Sequence, residues 1–356
     1  MNANTSSLQS RVIDWLRFPL AAAVVLLHAG EISEGVYGPD FYSTLRIILS
    51  HGICRIAVPA FFFFSGYLFF SKLENWDWTI WAGKVKKRAR TLLLPYVLWN
   101  IIALLVGFGY GWLRSRFNTS VEPISFVQSL QDNGWMNIFW ASTFGCPIDY
   151  PLWFIRDLIV FVAITPLVFL FVKYCKIWGV AALFIACILL GGDRDFEGLF
   201  FFAFGAYFRV ALIDFLKLFA GLKWPAYLLS AVGLIAIALV YRSDIALYGQ
   251  IKTPFMLMGV ISVVNFSAFL LGKGLVRERP FLASASFFVY ASHAILILHD
   301  IAHYITLHLL PFTSVIGQCT VLFVKTGLAI ALCLGLYWAL MKIAPRTLRV
   351  LTGNRA

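Results

Sequence analysis

RVIDWLRFPLAAAVVLLHAGE, residues 11–31, is an apolar run long enough to cross a bilayer, and it carries an arginine and a histidine. A hydrocarbon core about 30 Å thick takes about 20 helical residues. From Trp15 to Gly30 the only ionisable side chains are Arg17 and His28. They are eleven residues apart, which is about three helical turns, so they share one face at roughly 16 Å along the axis. An ionisable group inside a membrane helix is costly and is usually turned toward protein or a wet cavity. The pair reads as a positive anchor low in a cavity and a titratable imidazole high in it.

The rest of the chain extends that reading. Hydrophobic residues make up 61% of the 356 and charged residues only 13%, and the mean hydropathy is +0.83. These values define a polytopic membrane protein. Apolar segments lie at about 11–30, 50–71, 90–112, 152–172, 176–191, 197–213, 224–241, 254–272, 283–305 and 317–341. Backbone at these depths has to satisfy itself, so the expected fold is an all-α, polytopic membrane bundle of about ten transmembrane helices. No Pro/Ser/Gly-rich linker divides the chain, so residues 1–356 are expected to form a single domain. Cys54, Cys187, Cys319 and Cys333 lie in apolar runs without a CxxC pair and read as small hydrophobes. The first span has no A-x-A-like cleavage site, so it is not expected to be a cleaved signal peptide.

The net charge of +12 raises the question of nucleic acid, but its distribution points to membrane topology instead. With the N-terminus inside, eighteen Lys and Arg fall in cytoplasmic segments and six on the opposite side. The densest cytoplasmic cluster is KVKKRAR, Lys84 to Arg90. That bias places both termini in the cytoplasm of a plasma (inner) membrane protein, with Arg17 in the inner half of the first helix and His28 near its outer end. Arg17, Arg55, Arg156, Arg209 and Lys325 remain inside spans, with Asp14 and Asp157 close to two of them. So many intramembrane charges imply a polar cavity, with structural ion pairing between helices as the alternative.

Three further stretches stand out. In CRIAVPAFFFFSGYLFF, residues 54–70, Ser65 and Gly66 allow close helix approach, and Pro59 frees a backbone carbonyl next to Arg55. The four phenylalanines alone describe a tightly packed helix. In PLWFIRDL, residues 151–158, Trp153 and Arg156 are cavity candidates, and the adjacent Arg156 and Asp157 point in different directions. In SASFFVYASHAILILHDIAHY, residues 284–304, Ser286, Tyr290 and His293 share one face, and His299 and His303 are one turn apart. An i, i+4 histidine pair can hold a metal, but no HExxH or further ligand accompanies it, so no metal is expected. Glu31, Glu34, Asp40, Asp193, Asp195 and Glu197 face outward, as does the Asn118-Thr119-Ser120 sequon. Such acids suit hydroxyl-rich sugars and are equally ordinary in solvated loops.

Taken in order, RVIDWLRFPLAAAVVLLH, VPAFFFFSGYLF, KKRARTLLLPYVLW, PLWFIRDL and SFFVYASHAILI resemble the integral membrane acyltransferases of the acyltransferase-3 family. The resemblance covers nearly the whole chain. It implies O- or N-acylation of a glycan, lipid or small molecule, with His28 as the catalytic histidine and Arg17 its partner. It also implies an acyl-CoA donor, commonly acetyl-CoA, and an envelope glycan or glycolipid acceptor. Where many members carry an aspartate before the phenylalanine run, this chain has Val58-Pro59-Ala60, so the identity of the acceptor does not carry over. Lys86, Lys87, Arg88 and Arg90, with Arg55, are the candidates for holding the donor, because Lys and Arg recognise phosphate oxygens. Trp153, Arg156, His293, Ser65 and Tyr290 are the candidates for contacting the acceptor. The rival class is a proton-coupled transporter or flippase, which intramembrane charges and broken helices also describe. Against it stand the absence of an inverted repeat and the scarcity of deep acidic residues. The partners expected are the donor, the acceptor and the bilayer, with no nucleic acid. Oligomeric state is not legible in the sequence.

Overall fold

The computed structural model describes residues 3–30, 38–71, 73, 76–117, 134–140, 146–310 and 314–354, and among them every regular element is helical. Lys72, Glu31, Glu34, Arg355 and the sequon lie outside the described residues. Among the described residues, eight helices are long and apolar enough to cross a membrane: Leu8–Gly30, Phe41–Phe69, Trp78–Arg116, Thr165–Leu189, Lys223–Val240, Ile245–Gly272, Pro280–Leu309 and Val315–Ile343. A ninth span results if Arg194–Val210 and Phe215–Gly221, bent by 109°, are taken together. The protein is therefore an all-α integral membrane bundle.

The difference from ten segments lies between residues 152 and 191. A short helix, Trp153–Ala163, ends at Ile164, and Thr165–Leu189 follows with a proline in its first turn. Pro166 has no N–H to give the preceding helix and is pre-shaped to begin a new one. The longer helix is then interrupted at Lys176, which takes φ 52° and ψ −142°.

The bundle is built around the second span. Of its apolar window 67% is buried, against 11% for Lys223–Val240 at the periphery. Phe62, Phe63 and Phe64 are all buried. A helix surrounded by protein can afford large apolar groups on every side, whereas an edge helix keeps one face for lipid. The second span is not a uniform helix. A π segment, Ile47–Gly52, and a 3-10 turn, Ile53–Ile56, precede the regular helix Ala57–Phe69, whose third residue is Pro59.

One crossing fixes the centre. A Cβ on Gly66 would sit 2.0 Å from the carbonyl oxygen of Phe202, and one on Gly205 would sit 1.9 Å from that of Phe63. The helices Ala57–Phe69 and Arg194–Val210 thus meet backbone to backbone, as small-residue membrane interfaces do. Below the crossing, the rings of Phe63, Phe204, Phe208, Phe215 and Phe219 interlock with Tyr67.

Polar contacts gather at the two ends of the first helix, Ala3–Gly30. At its start, Gln9 Nε2 donates to Asp214 Oδ1 (2.7 Å), Tyr67 Oη donates to Gln9 Oε1 (2.7 Å), and Arg11 pairs with Glu278. At its end, Arg46 Nε donates to the carbonyl of Gly30 (2.7 Å) and Lys325 Nζ to that of Ala29 (3.0 Å).

The crossing makes a paired test. Gly205→Val should lower stability by about 1–3 kcal/mol through overpacking against a backbone carbonyl. Gly335→Ala, where nothing lies within 4 Å of the new methyl, should leave stability unchanged or slightly raised. Thermal unfolding in detergent reads both, and equal melting temperatures for the two variants would refute the tight crossing.

Candidate active site

His28 sits in the last turn of the first helix, half-buried among aromatic and imidazole rings. Tyr150 meets it edge-on at 4.8 Å between centroids, and His293 stacks on it at 5.5 Å. His293 is fully buried, and its Nδ1 lies 2.7 Å from the carbonyl of Tyr290 and 3.2 Å from that of Val289. Those acceptors hold the proton on Nδ1 and fix the plane of the ring. His293 opens a π segment, His293–Ala302, in which Ile295 and Leu296 leave helical geometry. The break lets the same segment return with His299, whose Nε2 is 3.1 Å from Tyr150 Oη. Tyr290 Oη donates to the carbonyl of Pro151, so the turn bearing Tyr150 is tied from below as well.

Three cavities follow one another, the first two beside the first helix. The upper one, about 740 Å³, is lined by His28, Arg55, Trp153, Arg194, Glu197 and Lys252 along with apolar side chains. The middle one, about 800 Å³, contains Arg17, Ser65, Arg88 and Ser286 among Phe61, Phe64, Phe154 and Phe287. The third, about 1550 Å³, is the basic mouth, with Lys84, Lys86, Lys87, Arg88 and Arg90. Tyr290 lines both upper and middle cavities, and Leu68 and Arg88 line both middle and mouth. A side basin holding Asp14 and Arg209 shares Arg17 with the middle cavity, and Arg17 also pairs with Asp14 at 3.2 Å.

The candidates from sequence divide among these spaces. Arg17 and His28 line successive cavities rather than one. Lys86, Lys87, Arg88 and Arg90 stay together at the mouth, and Arg88 reaches inward to Arg17's cavity. Arg55 is apart from them, in the His28 cavity. Trp153 lines the His28 cavity, Ser65 the Arg17 cavity, and Tyr290 both. His293 packs behind His28 without lining either.

Two readings need correction. Arg156 and Asp157 do pair, with Nε at 2.8 Å and Nη2 at 2.7 Å from the same carboxylate oxygen. Both are buried, and an unpaired carboxylate there is costly enough for the long arginine to fold back across the angle between adjacent helical positions. Arg156 also donates to the carbonyl of Trp140 and borders none of the three cavities. Glu197 is not a solvated loop acid. It is 7% exposed, with Oε2 3.1 Å from Lys252 Nζ and Oε1 accepting from Thr253.

Tyr150, Arg194 and Lys252 were not singled out from sequence. Tyr150 sits in a short turn, Arg194 at a helix start and Lys252 two turns into its helix, and spacing rules say nothing about what such a side chain meets across the bundle. Among the described residues, no group of three or more His, Cys, Asp or Glu side chains is arranged to hold a metal.

The comparisons with known proteins agree with this architecture. The sequence profile described as an acyltransferase domain, of the acyltransferase-3 family, matches residues 11–338. The chain belongs to that family, and is a membrane acyltransferase. It is 26% identical over 375 residues to the succinoglycan biosynthesis protein ExoH of Rhizobium meliloti (strain 1021), covering 100% of this chain and 94% of that protein. No solved structure matches it significantly.

Asp149 gives a pH test of the turn over His28. It is 2% exposed, neither carboxylate oxygen has a hydrogen-bond partner among the described residues, and its N–H donates to Asn100 Oδ1. Burial pushes its carboxyl well above the ordinary value of 3.8. The folded protein therefore keeps a proton that the unfolded chain releases above that value, and stability falls as pH rises from there toward the raised value. Asp149→Asn lacks this loss. Its melting temperature relative to wild type should rise as the pH is raised above 4, and a difference that does not vary with pH would show Asp149 to be ionised in the fold.

Proposed function

We propose that this protein, acting as a single domain, transfers an acyl group from cytosolic acyl-CoA to a hydroxyl of an envelope glycan or glycolipid on the opposite face of the plasma membrane. The observation that carries this reading is the succession of three cavities from the Lys84–Arg90 mouth to His28, neighbours sharing Arg88 and Leu68, then Tyr290, in their walls. Acyl-CoA is strongly anionic at one end and ends in a long thin arm. The basic mouth suits the phosphates, and the phenylalanine-lined middle suits the arm. Arg17 stands where a carbonyl or phosphate of that arm would pass. Acetyl-CoA is the donor that the family resemblance favours, and the relative's part in succinoglycan biosynthesis supports a polysaccharide acceptor.

In the proposed reaction the neutral imidazole of His28 takes the proton from the acceptor hydroxyl. The oxygen attacks the thioester carbon, the C–S bond breaks, and the thiolate leaves and recovers the proton. An acyl-imidazole route reaches the same products in two steps: His28 is acylated with loss of the thiol, then the acyl group passes to the hydroxyl. The stacking of His293 and the edge of Tyr150 hold the ring for either route. The bias of positive charge among the loops supports a mouth, and both termini, on the cytoplasmic side.

Two outcomes test this. His28→Ala should lower acyl transfer by roughly 10²- to 10⁴-fold while the melting temperature stays near that of wild type. Turnover within a few-fold of wild type would remove His28 from the chemistry. Arg88→Gln should raise the apparent KM for acyl-CoA several-fold more than that for acceptor. In sealed proteoliposomes of known orientation, donor outside the mouth-facing compartment should then be inert. Transfer that requires both substrates on the mouth side would defeat the through-membrane route.

A further inference from the structure

A further cavity, about 1390 Å³, shares no lining residue with those around Arg17 and His28. Leu8, Leu216, Ala220, Phe266 and Phe269 give it a largely apolar wall, and Lys217 and Lys223 stand in the same wall. It lies among the short helix Phe215–Gly221, the start of Lys223–Val240 and the end of Ile245–Gly272. Its level in the bilayer follows from its neighbours. Leu8 and Lys223 are the first residues of two membrane-crossing helices, and Phe215–Gly221 is bent by 109° from Arg194–Val210, so it runs across the bundle rather than along it. Gln9 bonds Asp214 of this cavity and lines the basin that shares Leu68 and Ser71 with the basic mouth. The cavity therefore sits at the membrane boundary on the mouth side. Trp224 in its wall is 72% exposed, as suits an aromatic ring at that boundary.

The charge in this wall is one-sided. Asp214 is the one carboxylate among the described residues that line it, and its Oδ1 already accepts from Gln9 Nε2 and from the N–H groups of Leu216 and Lys217. Among the described residues neither lysine forms an ion pair, and Lys223 Nζ instead lies 5.5 Å from the centre of the Trp224 ring. We propose that this cavity binds one anionic phospholipid from the leaflet on the mouth side, its phosphate between Lys217 and Lys223 and an acyl chain against Phe266 and Phe269. A water-soluble anion would leave the apolar wall uncovered, and a lipid without net charge would leave the lysines unanswered. An anionic lipid meets both, and basic pockets between helices at a leaflet boundary take such head groups. The site is separate from the acyl-transfer reading and does not depend on it.

The test titrates phosphatidylglycerol and phosphatidylcholine with matched chains into the purified protein in neutral detergent. Native mass spectrometry reads the lipid retained, and thermal unfolding reads a stabilisation that saturates with lipid. Phosphatidylglycerol should bind more tightly by about fivefold for each lysine, the scale of one cation beside an anionic head group. Lys217→Gln/Lys223→Gln should bring the two affinities together. Lys342→Gln/Arg346→Gln removes the same charge from exposed positions outside the cavity and should keep the preference. Ala220→Trp fills part of the cavity with both lysines intact, and should weaken phosphatidylglycerol binding about as much as loss of the lysines. Lys217, Ala220 and Lys223 are all exposed, so these variants are expected to fold, and the ratio of two lipids within one variant is insensitive to a loss of folded protein. Equal affinity for the two lipids overturns the proposal, as does a preference lost equally in the Lys342/Arg346 variant or kept in Ala220→Trp. Glycerol phosphate that stabilises as well as the lipid would assign the lysines to a free phosphate. An Ala220→Trp variant that breaks up an oligomer without changing lipid binding would assign the cavity to a second copy of the chain. Either result also removes the lipid site.

Discussion

Charge inside a bilayer has to be answered by the protein, and the end of the first helix depends on that constraint. Its last carbonyls point toward a region with little water, where unsatisfied backbone groups are costly. Arg46 and Lys325 donate to Gly30 and Ala29, so two cations from separate elements meet the negative end of the helix dipole. His28 lies one turn or less before them and is thereby placed at a fixed height and azimuth. The Tyr150 turn, the stacked His293 and the cavity wall are all arranged around that anchored residue. Lys325, an intramembrane lysine from a helix almost three hundred residues away, serves the position of the histidine rather than any cavity described above.

The second constraint is the backbone-to-backbone crossing at Gly66 and Gly205. It draws Ala57–Phe69 and Arg194–Val210 together at mid-bundle, and each then brings charge to the His28 cavity from above the crossing: Arg55 before the first, Arg194 and Glu197 at the start of the second. Helix-start positions are suited to this. Backbone direction changes there, and side chains from the first turn reach into space between elements instead of along a packed face. The irregular π and 3-10 turns at Ile47–Ile56 and His293–Ala302 serve the same end. Departures from regular helix are tolerated at membrane depth where they border a cavity or buried protein.

The bundle class was legible because lipid allows so few solutions. An apolar run of about 20 residues has to be a helix, whatever it packs against. Boundaries were less legible where the chain bends without leaving the apolar phase. Hydropathy cannot distinguish one kinked helix from two, which is why Ile164 and Lys176 divided residues 152–191 differently from the hydropathy pattern. At the site, Arg17 and His28 stood out because a charge in an apolar run has few ordinary explanations. Arg156 misled, since helical spacing predicts where side chains start and not where a long, flexible one ends when a buried carboxylate competes for it. Glu197 looked like a surface acid for the corresponding reason: its exposure is set by Lys252 and Thr253 from another span.

What the amino-acid sequence by itself determined is the local and the solvent-driven: an all-helical membrane bundle, the two opposed loop sets separated by charge, and a first helix bearing a cation and an imidazole on one face. These follow from transfer free energies and from helical periodicity, and neither depends on which helix neighbours which. Only the tertiary structure decided that Arg17 and His28 occupy neighbouring cavities with Tyr290 in the wall of both, that Arg55 belongs with Glu197 and Lys252 rather than with the basic mouth, and that His293 and Tyr150 enclose the imidazole. Those facts rest on contacts across more than a hundred residues of chain. A side chain's partner in a packed bundle is set by helix crossings such as Gly66 with Gly205, and the one-dimensional pattern contains no record of them.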